Sequence, residues 1–190
     1  MAKIRVHPPL VIDELVVREY TMDDLQLLDD AIVTNREYLL PWIGPWILKE
    51  PIGLDARRAL LAEWVEKYPV DGADQAIGIF CAGQLVGGTG LHDRNEPHDV
   101  EVGYWVDEEW QGRGIATRVT KALTDYAFRF PEVHRVLLKH KIDNLKSRRI
   151  PEKLGFSIID NTGACSCGDE PHTSWAVTRE QWLAREGVVL

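Results

Sequence analysis

The segment Gln111-Gly112-Arg113-Gly114-Ile115-Ala116 stands between a Val-, Tyr- and Trp-rich run, Val100 to Val106, and apolar residues at helical spacing, Ile115, Val119, Ala122, Leu123 and Tyr126. Arg135 to Ile142 then has the character of a further strand. Strand, glycine turn, helix and strand form a βαβ unit, which commits the chain to a mixed α/β (α+β) fold. Two glycines let the backbone turn with its amides exposed. Those N–H groups, joined to the unpaired donors and positive dipole end of the helix, make an anion site that needs no charged side chain. Arg113 either adds a cation or points to solvent.

Glycines alone leave several readings open. A Walker loop requires Gly-Lys-Ser/Thr, which does not occur here. The dinucleotide fingerprint Gly-x-Gly-x-x-Gly is broken by Thr117, counting from Gly112. A helix N-terminus with a tight turn and no ligand remains compatible with the two glycines.

The rest of the chain supplies the other elements. Glu14 to Tyr20 is a strand that runs into Thr21-Met22-Asp23-Asp24, a hydroxyl followed by acids, as at a helix start. Leu25, Leu28 and Ile32 keep helical spacing, and a second helix follows from Asp55 with Leu61, Trp64, Val65 and Tyr68 on one face. Between them, Leu40-Pro41-Trp42-Ile43-Gly44-Pro45-Trp46 is a loop. Ala76 to Ala82 and Leu85 to Leu91 form a hairpin about Gly83-Gln84. Lys146 to Leu154 is a short helix closed by Gly155, with Pro151 an unexpected kink inside it. Phe156 to Asp160 and Ser174 to Val177 are late strands, and Thr178-Arg179-Glu180-Gln181 is a capping box that opens a last helix. With 190 residues and no linker or repeat, a single domain over 1–190 is expected.

Charge narrows the partners. The net charge of -8 disfavours nucleic acid and anionic membranes. From His134 to Lys153, however, seven Lys/Arg against Asp143 and Glu152 leave +5, so the remainder carries -13. That strip is either a solvated face or a phosphate partner. No h-region follows Lys3 and Arg5, and no stretch is long enough to span a membrane. Three cysteines, an odd number, fit a reducing compartment, and a cytoplasmic protein is expected. Cys165-Ser166-Cys167, near Asp169 and His172, lacks the spacing of a standard zinc site, so no metal is expected.

The order Glu101-Val102-Gly103-Tyr104-Trp105-Val106, then Gln-x-x-Gly-x-Ala at 111–116, Asn144-x-x-Ser147 and Lys153-Leu154-Gly155-Phe156 resembles the GNAT superfamily of N-acetyltransferases. The RimJ/RimL branch, with its ribosomal-protein N-terminal acetyltransferases, is the nearest in pattern, over about residues 15–182. The resemblance implies a mixed, mostly antiparallel sheet of about seven strands flanked by helices. A V-shaped opening would lie between the fourth and fifth, with a bulge on Gly103 to Val106. It implies acetyl-CoA as co-substrate, its pyrophosphate on the amides of Gln111, Gly112, Arg113, Gly114, Ile115, Ala116 and Thr117. The pantetheine arm would lie along Trp105 and Val106, whose amides would also serve the oxyanion, and near Asn144. Lys146, Arg148 or Arg149 would reach the ribose phosphate.

For catalysis the resemblance suggests Glu101 as base and Ser147 as proton donor to the thiolate; their bland alternatives are an exposed strand carboxylate and a helix cap. His92 and His140 are weaker candidates for the base. Trp42, Trp46, His92 and Glu101 would wall the acceptor, although both tryptophans also suit a core. The implied reaction is direct acetyl transfer to a protein α-amine or a small-molecule amine. The alternative is an acyl-CoA sensor or protein-interaction module on the same fold. A homodimer is left open.

Overall fold

A computed structural model describes residues 6, 9–43, 53–67, 75–93, 99–160 and 171–186. Its strands are β1 (Leu10–Ile12), β2 (Leu15–Glu19), β3 (Gln75–Cys81), β4 (Gln84–Asp93), β5 (Asp99–Val106), β6 (Arg135–Lys141), β7 (Ser157–Asp160) and β8 (His172–Thr178). They form one sheet in the order β1-β2-β3-β4-β5-β6-β8-β7, antiparallel except for β5 with β6. The helices are α1 (Leu25–Leu39), α2 (Leu54–Lys67), α3 (Ile115–Ala127), α4 (Leu145–Leu154) and α5 (Arg179–Glu186). None among the described residues is long and apolar enough to cross a membrane.

The strand beyond the expected seven is β1, only three residues, too short to show periodicity. It returns through Asp13, at φ 52°, to pair Leu10 with Val17 and Ile12 with Leu15. Arg118 of α3 holds this turn by ion pairs to Asp13 at 3.0 Å and Glu14 at 2.7 Å. In the β3–β4 hairpin the turn falls on Ala82 and Gly83, one residue before the expected pair. Both have positive φ, which matches the twist of the strands.

Alternation on β5 divides the core into two layers. Val100 and Val102 pack with Ile115, Val119 and Leu123 of α3 and with Leu154 and Trp182, whereas Trp105 packs with Leu28, Ile32, Leu61 and Phe80 beneath α1 and α2. Each fully buried side chain of this kind contributes about 1.5–3 kcal/mol. The bulge lies on a different strand from the one expected. β4 and β5 pair one to one from Gly87↔Val106 to Asp93↔Val100, while the shift falls where Ile79 faces Gly87 and Phe80 faces Leu85. Val86 of β4 is thus the extra residue, which lets Leu85 enter one core layer and Val86 and Leu91 the other.

The far end of the sheet is closed by Arg179 at the start of α5. Its guanidinium donates to the carbonyls of Phe128, Phe130 and Val133 just after α3. The Thr178/Gln181 capping box is present, with reciprocal bonds of 3.0 and 3.1 Å.

The decisive topological feature is the β5–β6 pair. These strands pair only through Asp99↔Arg135, Val100↔Val136 and Glu101↔Leu137. Beyond Glu101 they separate, while β4 follows β5 to Val106 and β8 follows β6 to Lys141. The resulting V lies between the fourth and fifth strands once the short β1 is set aside. Its closed end is pinned by Arg135, which donates to the buried Asp99 carboxylate at 2.9 and 2.5 Å. Asp99→Asn is expected to lower stability by about 1–2 kcal/mol in urea unfolding, since Arg135 is half-exposed and can regain water.

Candidate active site

After β5 a short 3-10 turn, Glu108–Trp110, leads into the glycine segment. Gly112 has φ 74° and Gly114 φ 72°, and a Cβ on either would meet nothing within 4 Å. Glycine is therefore required for the backbone conformation, and the space in front of these amides is open. Ile115, buried, anchors the first turn of α3, and Arg118 N–H bonds to Gly114 O at 3.0 Å. The amides of Ile115, Ala116 and Thr117 belong to the turn whose donors have no partner within a helix.

A residue absent from the sequence expectations holds this turn in place. Asn35 of α1 is buried; its Nδ2 donates to Asp107 Oδ2 at 2.6 Å and its Oδ1 accepts from Glu108 N–H at 2.8 Å. Asp107 Oδ1 in turn accepts from Glu109 N–H at 2.9 Å. The available signal was an asparagine in line with Leu28, Ile32 and Leu39 on the buried face of α1.

The basic side chains around the turn take separate places. Arg113 folds back, donating to Glu109 O at 3.2 Å with its guanidinium 4.4 Å from the Trp110 ring. Arg148 bonds Glu152 at 2.8 Å along α4. Lys146 is the cation at the turn: its Nζ donates to Gln111 Oε1 at 3.0 Å and lies 5.5 Å from the Tyr38 ring centroid. The Gln111 amide nitrogen is buried, with no partner at full hydrogen-bond geometry among the described residues. It faces the Tyr38 hydroxyl, whose pKa is raised by burial and pulled back by that amide. Open amides, a carboxamide donor with no full hydrogen bond and a lysine together fit a pyrophosphate.

Across the V, Asn144 Oδ1 accepts from Ser147 N–H at 3.0 Å, the cap of α4. The Tyr104 hydroxyl of β5 donates to Ser147 O at 3.3 Å. Pro151 sits within α4, which continues to Leu154 and ends on Gly155 at φ 67°.

The comparisons agree with this geometry. Residues 14–157 match the family model described as an acetyltransferase (GNAT) domain. The chain belongs to the GNAT acetyltransferase family. It is 30% identical to the putative ribosomal N-acetyltransferase YdaF of Bacillus subtilis (strain 168), over 76% of this chain and 78% of that protein. It is 27% identical to the [ribosomal protein uS5]-alanine N-acetyltransferase of Escherichia coli (strain K12), over 77% of each. The structure of RimL, a ribosomal L7/L12 α-N-protein acetyltransferase in complex with coenzyme A, superposes with a TM-score of 0.78 at 19% identity, covering 90% of this chain and 97% of that one. The protein is thus an acetyl-CoA-dependent N-acetyltransferase of the RimJ/RimL-like group.

On the GNAT sheet face turned to α1 and α2, Glu101 stands at the last paired position before the V and forms an ion pair with Lys139 at 3.2 Å. His92 pairs opposite it, and a Cβ on Gly90 or Gly103 would meet the His92 ring. Trp105 is packed in the second core layer and its carbonyl lies against Gly87, so its backbone turns toward β4. Asp107 N–H also bonds β4, at Val86 O. By alternation the Val106 amide, and not that of Trp105, faces the cleft. Trp42 is half-buried just past α1; Trp46 lies outside the described residues. His140 accepts at Nε2 from Trp175 Nε1 at 2.9 Å and donates from Nδ1 to Lys141 O at 2.8 Å. Both nitrogens are occupied, so it is no base for this site. Cys165, Cys167 and Asp169 lie outside the described residues, and no group of His, Cys, Asp or Glu among those described could hold a metal.

Two outcomes follow from this geometry. Gly114→Val imposes a left-handed backbone on a β-branched residue, and is expected to weaken coenzyme A binding at least about tenfold by calorimetry with the melting temperature little changed. Burial depresses the His140 pKa, reinforced by Arg148 and His172 and opposed by Glu152 and the Lys141 carbonyl. The unfolded chain then takes up this proton first as pH falls, so the associated stability is whole above about pH 6.5 and is lost below it. Melting curves between pH 7.5 and 5.5 should show part of the acid sensitivity disappear in His140→Gln.

Proposed function

We propose that the protein acetylates the N-terminal α-amine of a protein, by direct attack in a ternary complex. The observation that carries this reading is the Glu101–Lys139 ion pair. A carboxylate held by an ammonium is a weak base, suited to an amine that is largely neutral without help. An α-amine has a pKa of about 7.7–8.0, against about 10.4 for a lysine side chain. The ribosomal-protein acetyltransferases among its relatives support the same acceptor class.

Bound acetyl-CoA supplies the thioester acetyl group. On this reading Lys146, Gln111 and the amides from Gly112 to Thr117 hold its phosphates, and Asn144 lies beside the pantetheine arm. Glu101, through water, removes the proton that the amine loses as its C–N bond forms. Val106 N–H donates to the carbonyl oxygen, which carries the developing charge. As the C–S bond breaks, Ser147 gives a proton to the sulfur and regains one from water, while Glu101 returns the amine's proton to solvent. Trp42, Trp46 and His92 wall the acceptor. No acyl-enzyme is formed. An odd number of cysteines suits a reducing compartment, and the reaction is assigned to the cytoplasm.

The test is thiol release from acetyl-CoA with a peptide bearing a free N-terminal alanine or serine, the same peptide N-terminally blocked but containing lysine, and spermidine. Turnover is expected for the first alone, and kcat about tenfold or more lower in Ser147→Ala. Turnover of spermidine with an inert free peptide would overturn the acceptor assignment.

A further inference from the structure

The proline inside α4 has a counterpart on the other arm of the cleft. An α-helix would bond the N–H of residue 151 to the carbonyl of residue 147, four positions earlier. Pro151 has no N–H, so the Ser147 carbonyl is left without its intrahelical donor. The hydroxyl of Tyr104 donates to that carbonyl, at 3.3 Å.

Tyr104 lies on β5 three residues beyond Glu101, the last position at which β5 pairs with β6. The bond therefore crosses the opened part of the V and joins β5 to α4. Burial pushes the Tyr104 pKa up to about 12, so the hydroxyl remains a donor throughout any ordinary working range. Ser147 N–H is held at the same time by Asn144 Oδ1, at 3.0 Å. Both backbone polar groups of Ser147 thus have side-chain partners, one from each arm. The Ser147 side chain also lies within hydrogen-bonding reach of the Tyr104 hydroxyl, a contact that offsets part of the effect of burial on Tyr104.

We propose that Tyr104 and Pro151 act as a pair that positions Ser147: the proline leaves a carbonyl open, the tyrosine closes it from across the cleft, and the strut fixes where the Ser147 hydroxyl stands. The importance for turnover rests on the reading of Ser147 as the proton donor to sulfur. The strut itself does not, because it is a matter of backbone hydrogen bonding. Tyr104 is a positioning residue, and its own hydroxyl is directed to the helix.

The pair makes an unusual demand on mutants. In Tyr104→Phe the Ser147 carbonyl loses its donor, whereas in Pro151→Ala an N–H is restored and the hydroxyl becomes redundant. Kinetics of wild type, Tyr104→Phe, Pro151→Ala and the double variant test this. Tyr104→Phe is expected to lower kcat about tenfold with KM for acetyl-CoA within about twofold, and Pro151→Ala in that background to bring kcat back to within about threefold of wild type. Thermal melting of the same four proteins is the second readout. Pro151→Ala should raise the melting temperature of Tyr104→Phe by more than it raises that of wild type.

Additive melting temperatures across the four proteins, or wild-type turnover in Tyr104→Phe while Ser147→Ala is slow, would overturn the proposal. Ser147→Ala separates the two levels. Full activity in that variant removes the proton-donor role, while the melting cycle still reports the strut; additive melting temperatures remove the strut whatever Ser147→Ala does.

Discussion

Everything in this molecule that concerns acetyl transfer depends on two parallel strands that pair for three residues and then part. Asp99 and Arg135 fasten the closed end, with a buried carboxylate and a two-point guanidinium contact that fixes direction as well as distance. Had β5 and β6 paired to their ends, the amides after Glu101 would be consumed by the sheet. Because they separate, the inner edges of β5 and β6 become available without exposing an edge of the sheet as a whole. The neighbouring strands β4 and β8 stay paired along the diverging arms, so the opening is stiff.

The glycine turn at the mouth of this opening takes much of its chemistry from backbone, and its position from a buried side chain of α1. Asn35 fastens α1 to Asp107 and Glu108, and so sets where α3 begins. Lys146 arrives from the opposite arm and meets Gln111 over the turn. In a chain with a net charge of -8, this local convergence of donors is what makes an anion welcome.

The sequence carried most of the architecture because its signals were local. Period-2 runs, the two glycines, the Thr178 box and Gly155 all name conformations that a few neighbouring residues determine. What was not legible was pairwise and distant. Arg148 and Lys146 look alike in a basic strip, and only the three-dimensional placement shows that Glu152 occupies one while the other reaches Gln111. Asn35 was hidden among apolar neighbours because its partners lie 72 and 73 positions away. The bulge was expected on the strand that faces the cofactor, but Val86 on the adjacent strand absorbs the extra residue, since that is where the two core layers compete for side chains. Pro151 looked like a defect in a helix until its counterpart on β5 was seen.

The two poles of α3 are treated unequally. At its end, three carbonyl oxygens converge on the guanidinium of Arg179; at its start, 13 helical residues earlier, no side chain caps the N-terminus at Gly114. A helix with a cation at its negative pole and nothing at its positive pole is electrically one-ended. Over its length of about 20 Å, the partial charge that would otherwise cancel at a distance is covered on one side only.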